Sequence, residues 1–201
     1  EEQKRIAAIL NEQMAAVDKA KKAAQERLEA AQALPAACLR EVFPSREDEL
    51  QAGWEWVNLG DLCELDDGKP FRVSQWTSTG YPIIRIQNLN NPNAEFNHWD
   101  GSLEQQVLVD THDLLLAWSG TPGSSFGAHI WNGAKGVLNR HIFRVSVDET
   151  RFHKNFALMV INFQLEILIR TAKGGTGIMH VTRKEVQDLP IPLPPLYGPG
   201  T

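Results

Sequence analysis

Seven side chains able to hydrogen-bond the edge of a base gather in one part of the sequence: Ser119, Thr121, Ser124, Ser125, Asn139, Arg140 and His141. Asn, Arg, Ser and Thr make single or paired contacts to base edges in the major groove of DNA. A second group, Arg144, Lys173, Thr176, His180 and Arg183, has the chemistry that neutralises phosphates and fixes register on a duplex. Arg85 and Asn88 complete the candidate set. Taken singly, each of these reads better as an ordinary turn residue capping its own backbone. Arg85 lies in the apolar run Ile83-Ile84-Arg85-Ile86, where an unpaired charge is costly. It either pairs with an acid inside the fold or points out at a binding face.

The elements that must position these groups are strands. Leu114, Leu115 and Leu116 lead into Trp118, and Ser119 to Ser125, with two Gly and a Pro, breaks the pattern. Phe126 to Trp131 resumes it, and Asn132-Gly133 is a two-residue hairpin signal. Asn139-Arg140-His141 then separates Val137-Leu138 from the alternating Ile142-Phe143-Arg144-Val145. Such a pattern predicts a rigid sheet that presents polar turns to a polar ligand. Trp118 and Trp131 read better as core than as platforms for an extruded base.

Several enzymatic chemistries are missing from the sequence. There is no Asn/Asp-Pro-Pro-Tyr/Phe box and no Gly-rich S-adenosylmethionine loop; Asn91-Pro92 is followed by Asn93 and Ala94. Asp66-Asp67-Gly68-Lys69-Pro70 reads as a turn and lacks the spacing of a phosphate-binding loop. No Gly-x-Ser-x-Gly elbow occurs, and the six histidines show no metal-binding spacing. The expectation is a non-catalytic chain that binds no metal or cofactor of its own.

The net charge of −5 counts mildly against a nucleic-acid binder, but the charge is unevenly spread. Residues 41–67 hold nine acids against Arg46 alone, whereas residues 135–184 hold nine bases against Asp148, Glu149 and Glu166. Cys38 and Cys63 have no metal or redox spacing and read as reduced structural thiols. With no apolar run of membrane-spanning length and a charged start, a soluble, cytoplasmic location is expected.

Residues 1 to about 32 contain no Gly or Pro and much Ala, which predicts a helix about 45 Å long. Leu10, Met14, Val17, Lys21, Ala24, Leu28 and Ala31 step by four and three, a heptad seam that needs a partner helix. Leu34-Pro35 is expected to interrupt it, with a short second helix from Ala36 to Phe43. The organisation predicted is a helical arm over 1–43, an acidic linker over 44–53, a globular domain over 54–196 and a tail over 197–201. Within the domain, residues 152–171 form an amphipathic helix burying Phe156, Met159, Val160, Phe163, Ile167 and Leu168. Thr182-Arg183-Lys184-Glu185 is a capping box, and a Pro-rich strand over 189–196 closes the fold. The fold class is α+β: a long coiled-coil-type helix followed by a mainly β domain with a few helices.

In this order, the Asp113–Arg144 stretch, Trp56-Val57-Asn58-Leu59-Gly60-Asp61, Gly80-Tyr81-Pro82-Ile83-Ile84-Arg85-Ile86-Gln87-Asn88, Leu189–Leu196 and Glu2-Gln3-Lys4-Arg5-Ile6 resemble the specificity subunit of type I restriction–modification enzymes. That resemblance implies one target-recognition domain plus one spacer helix, about half of a two-domain subunit. A natural half-subunit, a fragment, or an engineered piece ending in vector-derived residues would each fit. It further implies double-stranded DNA as ligand, with a DNA adenine methyltransferase subunit and a restriction (motor) subunit as partners. S-adenosylmethionine and ATP/Mg would belong to those partners. Leu10, Met14, Val17, Ala24 and Leu28 would meet a partner helix, from a second copy of the chain if two halves pair. With the resemblance and the charge asymmetry added, DNA contact becomes the better reading for the polar set as a group. The rival is a coiled-coil protein-interaction module that binds no DNA.

Overall fold

The computed structural model describes residues 1–44, 50, 53–91, 94–102, 108–121, 124–171 and 179–195. Two compact units divide the chain, Glu1–Asp48 and Glu49–Thr201. The first is built on a single helix, α1, Glu2–Val42. Its Ala-rich sequence is reinforced by pairs one turn apart, Arg5 with Glu2 (2.7 Å) and Lys22 with Glu26 (3.9 Å). The helix runs on through Pro35, contrary to the expected break. Proline's fixed φ is helical and its missing N–H removes one hydrogen bond; the flanking alanines and leucine keep the rest. No residue of α1 is buried. Leu10, Met14, Val17, Ala24 and Leu28 are all exposed, and Ile6 and Ile9 extend the same apolar surface towards the N-terminus.

In the second unit, β1 (Glu55–Asn58) and β12 (Pro190–Leu193) pair antiparallel, so the domain's entry and exit zip together. Pro190 and Pro192 have no N–H to offer, which suits a two-stranded edge. The first four-stranded sheet has the order β2 (Cys63–Asp67), β10 (Ile142–Val147), β6 (Leu114–Ala117), β8 (Gly127–Ile130), all antiparallel. The second has the order β4 (His98–Trp99), β3 (Tyr81–Ile84), β9 (Gly136–Leu138), β5 (Leu108–Val109), with β3 and β9 parallel. All four residues of β6 are buried, as its unbroken Leu-Leu-Leu-Ala run requires of a strand covered on both faces. Leu115 and Ala117 join Ile84, Val109, Trp131, Leu138 and Ile142 in one core cluster.

Helix α3 (Lys154–Thr171) lies against β8 and β12. Ala157, Val160, Ile161, Phe163, Gln164 and Leu165 are its buried positions among the described side chains; of the other residues expected in the core, Phe156 and Ile167 are half-buried, Met159 is exposed, and the Leu168 side chain lies outside those described. Asn162 holds the outer edge of β8: its Oδ1 accepts from Ala128 N (2.7 Å) and its Nδ2 donates to Ala128 O (3.0 Å). A side-chain amide thus takes the place of a fifth strand and covers an edge that would otherwise recruit one. Replacing Asn162 with Ala leaves both backbone groups without these partners. The expected cost is about 1–3 kcal/mol, read as a lower urea midpoint.

Three local expectations are corrected. Asn132-Gly133 does not close a hairpin, because β8 pairs with β6 while the following β9 joins β3 and β5 in the other sheet. The segment is held instead by Trp131 Nε1 donating to Ala134 O (2.9 Å) and Thr111 Oγ1 donating to Gly133 O (2.8 Å). Asp66 and Asp67 end strand β2 and do not sit in a turn. Ile84 ends β3, so Arg85 is not inside a strand; it caps the short helix α2 (Ile86–Asn90).

Candidate nucleic-acid interface

Register brings the polar turns together. Ala117 pairs with both Ile142 and Gly127, and Phe143 pairs with Asp67. Chain leaving this end of the first sheet therefore emerges in one place: Trp118 to Thr121 after β6, Ser124 to Phe126 before β8, Asn139 to His141 before β10, and Gly68-Lys69 after β2. His180 joins them, because β11 (Met179–His180) pairs with β7 (Ser119–Gly120). Ser119, Thr121, Ser124, Asn139, Arg140, His141 and His180 thus share one end of the sheet.

The Asn139–His141 turn is pinned on three sides. Asn139 N donates to Ile84 O (3.0 Å), Arg140 N to Lys69 O (3.0 Å), and Trp118 N to His141 O (3.1 Å). His141 is held at φ 75°, the left-handed region that costs a non-glycine residue about 1–3 kcal/mol. Its ring and that of His180 each meet Trp118 edge-on with centroids 4.7 Å apart, while Trp118 stacks on Phe143 at 5.8 Å. Trp118 is therefore a half-buried scaffold for two imidazoles. The neighbouring loop is closed by its own backbone: Thr121 O accepts from Ser124 N and Ser125 N (both 3.1 Å), and Ser125 Oγ accepts from Thr121 N (3.0 Å).

Ser124 Oγ donates to Thr121 O (3.2 Å) at the surface, and four more of the expected ligand-contacting residues are engaged inside the fold. Asn88 is buried; its Oδ1 accepts from Arg85 N (3.0 Å), and its Nδ2 reaches Ala94 O and Glu95 O. Ser125 is buried in the loop closure just described. Arg144 donates to Asp66 Oδ2 through Nε (3.1 Å) and Nη2 (2.7 Å), and to Leu108 O (2.9 Å). Arg183 pairs with Asp67, donates to Leu65 O (2.9 Å) and lies over the Phe143 ring. β2 carries acids from the negative stretch and its neighbour β10 a base from the positive one, so part of the charge asymmetry cancels within the fold. Lys173 and Thr176 lie outside the described residues.

Arg85 faces a cleft of about 690 Å³ whose lining includes Phe71, Arg72, Trp76, Asn139 and Arg140. Phe71, Arg72 and Trp76 were not singled out from the sequence. Their signal was an aromatic–arginine–aromatic spacing, Phe71-Arg72-x-x-x-Trp76, placed just after Pro70. A larger and more apolar cavity, about 890 Å³, lies between β8 and α3 and holds only Asn88 of the candidate set. Among the described residues no group of three or more His, Cys, Asp or Glu could hold a metal ion. Burial pushes the Cys63 thiol up to about 12, so it is unreactive; it donates to Leu59 O (3.3 Å).

Burial depresses the pKa of His129, against a weaker opposing contact with Ser125 O. Burial also depresses His141, helped by the charges of Arg140 and His180. A base whose pKa is lowered on folding takes up protons more readily when unfolded as pH falls. Stability is therefore expected to be level above the ordinary histidine value of 6.5 and to decline as pH drops below it. A series of urea melts between pH 8 and about 5 checks this, and His129→Gln should flatten the decline.

Comparison with known proteins places the chain in a family. Residues 51–198 match the model described as the type I restriction modification DNA specificity domain, and the chain belongs to that family. It is 24% identical over 145 residues to the Type I restriction enzyme EcoBI specificity subunit of Escherichia coli, covering 71% of this chain and 29% of that protein. It is 26% identical over 145 residues to the MjaVIII specificity subunit of Methanocaldococcus jannaschii, covering 71% and 32%. The chain thus spans about a third of the curated relatives it matches. A solved structure described under the complex assembly and conformational transition of the type I R-M system superposes with a TM-score of 0.74 at 24% identity, over 98% of this chain and 48% of that one. The HsdS subunit from Thermoanaerobacter tengcongensis superposes with a TM-score of 0.63 at 21% identity, over 96% and 46%. Both show the same fold, a long helix followed by a mainly β domain.

Proposed function

We infer that this chain reads one half of a bipartite DNA target for a type I restriction–modification complex. One observation carries the reading. The polar turns at Ser119, Thr121, Asn139, Arg140, His141 and His180, whose side chains make no hydrogen bond or ion pair among the described residues, converge on one end of a sheet, beside a cleft lined by arginines. Base-edge chemistry and phosphate chemistry are therefore supplied side by side on a rigid platform. The unburied apolar face of α1, with Leu10, Met14, Val17, Ala24 and Leu28, suits a second helix, either from the rest of a longer subunit or from a second copy. Two domains held by such a helix pair would read two separated half-sites, and two identical copies would read a palindromic, interrupted target.

In this reading the chain is a non-catalytic cytoplasmic subunit. The methyltransferase partner carries S-adenosylmethionine and modifies adenine, and the restriction partner uses ATP and Mg. Among the described residues no helix is long and apolar enough to cross a membrane. The direct test is titration of the chain with duplex DNA at two salt concentrations. Binding that weakens steeply with salt supports the reading. Absence of duplex binding, with salt-insensitive capture of a helical partner, would replace it with a protein-interaction module.

A further inference from the structure

We propose that the cleft between residues 70–76 and the Arg85/Asn139–Arg140 corner is a phosphate clamp that seats a backbone phosphodiester of DNA flanking the bases read. The inference rests on the DNA reading above and adds to it a site, a ligand group and a division of labour. Three guanidiniums, Arg72, Arg85 and Arg140, line the cleft, and among the described residues no acid lines it. Among the described residues these three make no ion pair, in contrast to Arg144 in β10 and Arg183 in α4 (Arg183–Gln187). Uncompensated like charges brought to one cleft repel each other, and an anion in the cleft relieves that repulsion.

The chemistry of the lining points the same way. Arg85 Nε and Trp76 Nε1 are buried without a hydrogen-bond partner. Both are donors that cannot accept, so what is missing beside them is oxygen. A phosphate brings acceptor oxygens, reached directly after a small side-chain rotation or through one water. Arg85 is also held over the Trp76 ring, 5.4 Å from its centroid, and both side chains line the cleft. Arg72 and Arg140 are exposed where they line the cleft, one from the 70–76 segment and one from the Asn139–His141 turn. Because Arg140 N is bonded to Lys69 O, and Asn139 N to Ile84 O, the clamp and the base-reading turn share one rigid backbone. A phosphate seated here would set the register in which Asn139 and His141 meet their bases.

The test uses the full chain and a pool of random-sequence duplexes, with affinity measured from about 50 to 200 mM salt. Removing a single phosphate interaction reduces the slope of log affinity against log salt by about 0.9. Arg72→Ala and Arg140→Ala should each reduce it by about that much, equally on every duplex, and the double variant by twice as much. Arg72→Lys, which keeps a point charge, should hold the wild-type slope. An unaltered melting temperature shows that the variants fold. If the wild-type chain binds duplexes but the variants keep its slope, the clamp is refuted and the DNA reading stands. If the variants instead lose preference for one base at an unchanged slope, these arginines read bases and the clamp is refuted. Binding of AMP abolished by Arg72→Ala, with no salt-dependent duplex binding by wild type, would put a free nucleotide in the cleft and overturn both readings.

Discussion

Arg144→Ala should unfold the domain at markedly lower urea, with a loss of about 2–4 kcal/mol. Arg144 looks like a DNA contact in the sequence, a base in an alternating strand next to polar turns. In the fold it donates twice to Asp66 and once to Leu108 O, tying β2 and β5 to β10. Both side chains of the pair are about three-quarters buried, at 25% and 22% exposure, so Asp66 left alone keeps a poorly solvated charge. That orphaned charge, more than the missing attraction, sets the size of the effect. Asp66→Ala should cost a similar amount, and the double variant less than the sum of the two. Arg140, four residues earlier and without an ion-pair partner among the described residues, gives the contrast. Arg140→Ala should change stability by less than about 0.5 kcal/mol, as is usual for exposed unpaired positions. Equilibrium urea melts of the four variants check all of this.

Gly68→Ala should damage stability and DNA reading together. A Cβ at Gly68 would stand 2.1 Å from Asn139 O and 2.7 Å from Leu138 O, both backbone atoms that cannot swing away. The two segments run this close because Lys69 N donates to Leu138 O (2.9 Å) and Arg140 N to Lys69 O (3.0 Å). Relief requires the Asn139–His141 turn to move, so overpacking here costs about 1–3 kcal/mol and displaces the side chains proposed to meet DNA. The expected signature is a lowered melting temperature with duplex binding weakened beyond what the unfolded fraction explains. Amide shifts confined to residues 68–70 and 138–141 would locate the movement.

The parts of this fold visible in the sequence were those governed by local rules. Thr182 and Glu185 form the expected reciprocal cap, with Glu185 N donating to Thr182 Oγ1 (3.2 Å) and Thr182 N to Glu185 Oε2 (2.8 Å). The Leu114–Leu116 run is a buried central strand, as its composition demands. What was not visible depended on pairing between distant segments. Asn132-Gly133 has hairpin chemistry, but β9 finds a parallel partner in β3, far back along the chain, and the turn is overruled. Arg144 and Arg183 are drawn into the fold only because β2 brings Asp66 and Asp67 beside β10. The cleft escaped notice for the same reason, since Arg72, Arg85 and Arg140 are far apart in sequence and meet only when the Asn139 turn crosses Lys69. Asn139, Arg140 and His141 were legible as a polar turn because they separate two strong strand patterns.

The most direct test of the account is to express the chain with a type I methyltransferase subunit that it binds and to map modified adenines on plasmid DNA by single-molecule sequencing. The account predicts methylation at one interrupted motif, palindromic if two copies assemble. It further predicts that Asn139→Ala relaxes one position of that motif while Arg72→Ala lowers modification evenly across sites. A stable complex in which the methyltransferase is competent yet marks no motif, or marks the same motif whichever of these residues is changed, would contradict it.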